Sequence, residues 1–222
     1  MTALWTLDAM AAAMGAEKSG ALPAEVPGLS IDTRTIAKGE AFFAIKGDNR
    51  DGHDFVDAAL KAGAGLAVVA RDKRERFAAD VPLLIVADVL EALRDLARAA
   101  RARSDARIVA VTGSVGKTST KEALRLALAA DGETHASAAS YNNHWGVPLS
   151  LARCPQSAKY AVFEIGMNHA GEITPLAKLV RPHVAIVTSI APVHLEYFGS
   201  LKKIADANPE NFSGFGPGVI AE

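Results

Sequence analysis

Residues 107–122, RIVAVTGSVGKTSTKE, restrict the fold more than any other stretch of the chain. An apolar run ends at Val111, the chain turns through Gly113 and Gly116, and a helical pattern opens at Lys117. A buried strand that passes through a glycine turn into a helix is the opening unit of a parallel α/β sheet. The helix N-terminus gathers backbone N–H groups where an anion can sit. The phosphate-binding pattern is G-x-x-x-x-G-K-[ST]. Gly116, Lys117 and Thr118 match its end, while Val111 stands at its first glycine and Gly113 supplies the bend instead. On this reading Thr112, Gly113, Ser114, Val115, Gly116, Lys117, Thr118 and Ser119 surround a polyphosphate. Lys117 reaches its β and γ groups and the Thr118 hydroxyl ligates Mg²⁺. The bland alternative is a strand-to-helix turn that happens to carry Lys-Thr.

Around this unit the apolar runs alternate with helical patterns. Strand YAVFEIG, helix AGEITPLAKLV, strand VAIVTSI and helix SLKKIAD follow the helix that starts at Lys117. Such alternation implies a parallel sheet covered on both faces, with ligands at the carboxyl ends of its strands. Glu164 closes one of those strands and His194 follows another by four residues. The pair is a candidate for holding a cation; a strand-end carboxylate also serves as a helix cap.

Upstream, residues 29–47 read as strand, turn and strand, and HDFVDAALKAGA as a helix with Phe55, Ala58, Ala59 and Ala62 on one face and Gly63 as its stop. GLAVVA and VPLLIV read as buried strands. Thr6 caps a short helix that ends near Gly15. DVLEALRDLARAARARSD opens with a capping-box pair, Asp88 and Glu91, and carries a stripe of Leu90, Leu93, Ala97 and Ala100. Its arginines, Arg94, Arg98 and Arg101, make either a solvated face or a phosphate contact. The expected fold is α/β: a small N-terminal α/β domain over residues 1–84, then an incomplete parallel-sheet domain over 85–222.

Composition narrows the partners. A formal net charge of −1 leaves no electrostatic footprint for nucleic acid. The single cysteine, Cys154, permits no internal disulfide and fits a reducing cytoplasm. It reads as a small core or surface residue rather than a nucleophile. The N-terminus lacks the basic residue of a secretory signal, and Asp8 interrupts its apolar run. No stretch approaches the ~18 apolar residues of a membrane span.

TGSVGKTSTKE, YNNHWGVPLSL, FEIGMNHAGEI and APVHLEYFGS, in that order, together resemble the Mur ligases of peptidoglycan synthesis. SIDTRTIAKGEAFFAIKGDNRDGHDFVDAALKAGA resembles the UDP-binding domain at their N-terminus. The resemblance runs from about residue 4 to the end of the chain, and is strongest to the branch that joins D-alanyl-D-alanine to UDP-N-acetylmuramoyl-tripeptide. It implies a cytoplasmic, ATP- and Mg²⁺-dependent amide ligase that works through an acyl phosphate. Carried over residue by residue, it implies that Gly113, Gly116, Lys117 and Thr118 meet ATP and that Glu164 and His194 meet metal. Asn142, Asn143 and Asn168 then meet the sugar-peptide, with His169 near the same cleft. Ser30, Asp32, Thr33, Arg34 and Asn49 meet the UDP part, with Asp51 beside them. Without the resemblance, SIDTR reads equally as a turn in which Asp32 pairs with Arg34, and the two asparagines as a turn.

Two departures qualify it. Where the family has a lysine that becomes carbamoylated, ADANPENF places Asn208 followed by Pro209. Asparagine forms no carbamate, and proline breaks a helix there. The family's chains also carry further central strands and a third domain, and GPGVIAE at the end of this chain is expected to form no complete strand. Two other readings stay open: a non-catalytic UDP-sugar or nucleotide-binding module, and a ligase like folylpolyglutamate synthetase, which shares the ATP loop but lacks the SIDTR and KGDNRDGHDF blocks.

Overall fold

A computed structural model of the chain describes residues 3–138, 141–166, 172–189 and 219–221, the last segment by its backbone. His194, Asn168, His169, Asn208 and Pro209 lie outside the described residues. The chain divides into two compact units, Met1–Ala99 and Ala100–Glu222.

The first unit is built on a five-stranded sheet of β2 (Glu17–Ser19), β7 (Leu83–Val86), β6 (Leu66–Ala70), β5 (Ala41–Phe43) and β4 (Leu29–Ser30), in that spatial order. Its pairs are parallel except β2 with β7. A two-stranded antiparallel pair, β1 (Trp5–Thr6) with β3 (Glu25–Val26), stands apart from it. The central strands are buried over all but the last residue of β6, which is why they read as continuous apolar runs and not as alternations. Phe42, Ala44, Ala67, Val69, Leu83 and Ile85 share a core with Val56 and Ala59 of helix α2 (Val56–Lys61).

The face expected for that helix needs correction. Ala58 and Ala62 are exposed, and Val56 with Ala59 turns inward. A 3-10 turn, Gly52–Phe55, precedes the helix. Its tighter winding, three residues per turn, shifts the phase of every residue that follows. Helix α1 (Leu7–Met14) is as expected: the Thr6 hydroxyl accepts from Ala9 N–H, and Gly15 ends it at φ 57°.

Helix α3 (Val89–Arg103) starts where Asp88 accepts from Glu91 N–H at 2.7 Å. Its inner stripe is broader than expected: Val89, Ala92 and Leu96 are buried beside Leu93, Ala97 and Ala100, while Leu90 is only partly so. Its arginines are engaged by protein groups. Arg94 and Arg98 pair with Glu91, and Arg98 also with Asp95.

The second unit carries five parallel strands in the order β12 (Val219–Ala221), β11 (Val184–Val187), β8 (Arg107–Thr112), β10 (Tyr160–Glu164) and β9 (Thr134–Ala136). Helix α4 (Lys117–Ala129) leads from β8 to β9, α5 (Gly146–Ala152) leads to β10, and α6 (Ile173–Val180) leads to β11. The chain thus builds one side of β8 first and then crosses to the other. The carboxyl end of β8 is the place where such sheets bind ligands. Arg101 donates to the carbonyls of Val180 and Arg181 and so holds the last turn of α6. GVIAE, expected to form no complete strand, contributes a short one: Val219–Ala221 pairs with Ala185, Ile186 and Val187. The open backbone groups along β11 suffice for a three-residue strand.

His135, on β9, sits against the Phe163 ring, and its Nε2 donates to the Ser150 carbonyl at 2.8 Å. Burial, only partly opposed by that carbonyl, pushes its pKa below 6.5. A depressed histidine pKa stabilises the fold above the unfolded value, and the stabilisation drains away as pH falls past it. The thermal midpoint is expected to drop between about pH 7.5 and about pH 5.5. His135→Gln, which keeps a donor for Ser150, should shrink that drop without abolishing it, because burial also lowers the pKa of His183. An unchanged drop would exclude His135 as its source.

Candidate functional site

The second unit places its described candidate residues at one end of the sheet. Glu164 is in register with Val111, and Thr112 with Val187. Glu164 therefore ends its strand beside the point where β8 enters the glycine turn. Gly113 adopts φ 128° and Gly116 φ 92°. Both values lie in the region that only glycine enters cheaply. Gly116 is the N-cap of α4 and no side chain caps it. The first amides of that helix have no intrahelical acceptor, so the helix start is the anion-binding end.

The loop is anchored to the strand on the far side of β8. Ser114 N–H and Val115 N–H donate to the Ser189 carbonyl at 3.0 and 3.4 Å, and Thr188 N–H donates to Thr112 at 2.8 Å. These two loop amides are thus turned towards β11, which leaves the cradle to the first turn of α4. Lys117 folds back over the turn, with Nζ donating to Gly113 O at 2.8 Å and to Ser114 O at 3.3 Å. Burial lowers its pKa, and the neighbouring Glu164 opposes that shift. Thr118 and Ser119 are exposed on the first turn.

Glu164, 1% exposed, is the hub of the site. Its Oε2 accepts from the Thr118 hydroxyl at 2.9 Å and its Oε1 from the Asn142 amide at 2.8 Å. Asn142 is held in turn, because its carbonyl accepts from Gly166 N–H at 2.8 Å. A hydroxyl and a carboxylate at the mouth of a glycine turn form a hard oxygen donor set, which suits Mg²⁺. Among the described residues no three of His, Cys, Asp and Glu cluster as a metal cage. Mg²⁺ needs none, since it takes one or two protein oxygens with phosphate and water. Asn143 also serves the fold. Its side chain accepts from the amides of Trp145 and Gly146 and caps α5.

The candidates in the first unit follow two neighbouring strands. β4 and β5 run parallel, so the segments after them leave from the same end of the sheet. Asp32 accepts from Arg34 N–H, and its carboxylate takes the Arg34 guanidinium on both oxygens. Those bonds hold its pKa down at about 2. Ser30 Oγ donates to Asp32 O and accepts from Asp32 N–H, and Thr33 lies in the turn that Asp32 and Arg34 close. Asn49 is exposed between Gly47 and Arg50, whose backbones bond across a tight turn. Asp51 accepts from His53 N–H and lies 2.5 Å from its Nδ1, while His53 Nε2 accepts from Ala70 N–H. That histidine ties the segment after β5 to the end of β6. Cys154 is buried, which pushes its thiol up to about 11 and leaves it inert.

Sequence reasoning missed Lys121 and Ser137, both buried next to the site. Lys121 stands four residues after Lys117, on the same helical face, but its burial has no local signature.

Comparison with known proteins follows the two units. Residues 111–221 match the model of the Mur ligase middle domain, and residues 25–101 that of the Mur ligase family catalytic domain. The UDP-N-acetylmuramoyl-tripeptide--D-alanyl-D-alanine ligase of Escherichia coli is 44% identical over 193 residues, 87% of this chain and 42% of that protein. The ligase of the same name from Rickettsia prowazekii is 37% identical over 218 residues, 98% of this chain and 47% of its own. Among solved structures, MurF from Acinetobacter baumannii is similar at a TM-score of 0.83 and 33% identity, over 98% of this chain and 48% of that one. The MurF ligase from Thermotoga maritima in complex with ADP is similar at a TM-score of 0.70 and 30% identity, over 87% and 44%. The chain therefore spans about half the length of the curated relatives it matches.

Proposed function

The chain belongs to the Mur ligase family, and from that premise we propose that it is the nucleotide- and sugar-peptide-binding part of an ATP-dependent amide ligase. The ligase joins D-alanyl-D-alanine to UDP-N-acetylmuramoyl-tripeptide in peptidoglycan synthesis, in the cytoplasm. Residues 1–84 bind the UDP-sugar-peptide and residues 85–222 bind ATP. The observation that carries this reading is the contact between Glu164 and the Thr118 hydroxyl at the first turn of α4, directly after the glycine turn. No helix among the described residues is long and apolar enough to cross a membrane.

In the proposed reaction a carboxylate oxygen of the tripeptide attacks the γ-phosphorus and ADP leaves, giving an acyl phosphate. The amine of the dipeptide then adds to the acyl carbon. The tetrahedral intermediate expels phosphate and the nitrogen loses a proton, leaving the amide. Bringing a carboxylate to a triphosphate opposes two anions, so fixed positive charge is the main requirement. Lys117 supplies it on one side of the loop and the start of α4 on the other. Thr118 and Glu164, with His194, would hold Mg²⁺, which supplies further neutralisation of the phosphate charge. Asn142, bonded to Glu164, fixes that carboxylate and borders the place where the substrate carboxylate must arrive. At the edge of the first sheet Ser30, Asp32, Thr33, Arg34 and Asn49 meet the UDP group; Asn143 and Asn168 complete the sugar-peptide contacts.

Asn208, at the position where the resemblance puts a lysine, favours a second reading: binding without turnover. Calorimetric titration with Mg²⁺-ATP, then with UDP-N-acetylmuramoyl-tripeptide, tests the binding assignments. Saturable binding of both is expected. A folded sample silent to both ligands would overturn them. Release of phosphate on adding D-alanyl-D-alanine separates a ligase from a binding module.

A further inference from the structure

Lys121 is the one lysine among the described residues with no exposed surface, at 0%. It lies one turn along α4 from Lys117. Its ammonium donates to the Ser137 carbonyl at 2.8 Å and is 3.1 Å from the half-exposed Glu122 carboxylate. An apolar side chain would fill such a place at a smaller desolvation cost. What the ammonium adds is a directed bond to the Ser137 carbonyl.

That carbonyl belongs to a residue held from every side. Ser137 N–H donates to Val162 O at 3.1 Å, and Ser137 Oγ accepts from Glu164 N–H at 3.4 Å. Ser137 follows β9 directly and opens the segment that carries Asn142 and Asn143. α4 therefore holds the end of β10 at two points. Thr118 bonds the Glu164 carboxylate directly, and Lys121 holds the residue that bonds the Glu164 backbone. Asn142, at the far end of the same segment, closes the circuit on Oε1.

The geometry points to Lys121 as a positioning residue: through Ser137 it fixes Glu164 and Asn142 against Thr118, and so sets how strongly a divalent cation reinforces nucleotide binding. This rests on the nucleotide and metal reading above. Groups that orient a metal ligand change metal affinity by about 10- to 100-fold when removed. Lys121 acts one residue further away, so the lower end applies.

The test is ATP binding to the intact chain, once with Mg²⁺ and once with EDTA. The readout is the factor by which Mg²⁺ tightens binding. Lys121→Met should cut that factor by about 10-fold with the metal-free affinity roughly unchanged. Ser137→Ala removes the oxygen facing Glu164 N–H without touching a buried charge. It should cut the factor by about 3-fold, and it decides the matter if Lys121→Met fails to fold. A wild-type factor in either folded variant overturns the inference. So does an equal loss with and without Mg²⁺, which marks a purely structural lysine. A wild-type chain that binds no ATP overturns the functional proposal and this inference with it. A wild type that binds, with variants that match it, overturns this inference alone.

Discussion

Lys117→Ala is expected to lower the affinity of the chain for Mg²⁺-ATP by about 10- to 100-fold, the size of one lost hydrogen bond to a charged group. The side chain is placed for that role. It springs from the first residue of α4, and its ammonium lies over the turn at Gly113 and Ser114. Burial that lowers its pKa also strips it of water, which strengthens its attraction for a phosphate oxygen. The fold should survive the change, because the two carbonyls it bonds belong to a partly exposed loop. Equilibrium binding alongside circular dichroism checks both parts. A folded variant that binds as tightly as the wild type would put the phosphates elsewhere.

Gly113→Ala should be the most damaging glycine-to-alanine change among the described residues of the second unit. Gly113 sits at φ 128°, and an added Cβ would lie 2.2 Å from Thr188 Oγ1 and 3.0 Å from Thr188 N. Thr188 cannot withdraw freely, since its amide and hydroxyl both donate to Thr112 O, at 2.8 and 3.0 Å. The backbone strain costs about 1–3 kcal/mol, and the overpacking about 1–3 kcal/mol more. The thermal midpoint should fall, and the loop should lose its register with Ser189. Gly116→Ala is the control. Its φ of 92° carries the strain, but the nearest atom to its Cβ is 3.8 Å away, so it should cost less. Equal destabilisation by the two variants would mean that the approach of Thr188 has no energetic weight.

The same glycine explains how a loop without the usual first glycine still forms. Position 111 is a fully buried strand residue, paired with Glu164 on one side and Ile186 on the other. The bend starts two residues later. The proposed chemistry needs close approach of backbone to phosphate at the helix start, where Gly116 carries no side chain to obstruct it.

Local patterns carried much of the architecture. The strand, glycine turn and helix around Lys117, the cap of Thr6 on α1, the Asp88–Glu91 start of α3 and the apolar runs of β6, β7, β8, β10 and β11 are each written within a few residues. Propensity, capping and hydrophobicity act over that range, so neighbouring residue types are enough to specify them. β9 and α5 escaped for opposite reasons. β9 is three residues with no apolar run, stable only because β10 lies beside it. α5 is buried on every side, which erases its periodicity, and Gly146 and Pro148 in its first turn read as breakers.

The residue types able to bind a phosphate and a cation, and their order along the chain, are properties of the amino-acid string alone. Which of them meet is not. Thr118 and Glu164 lie 46 positions apart and come within 2.9 Å only because β10 pairs with β8 in one register. The burial of Lys121 and the two-sided grip on Ser137 depend on that same register. Side-chain partners across a sheet are chosen by strand pairing, a long-range interaction that no short window of residues encodes.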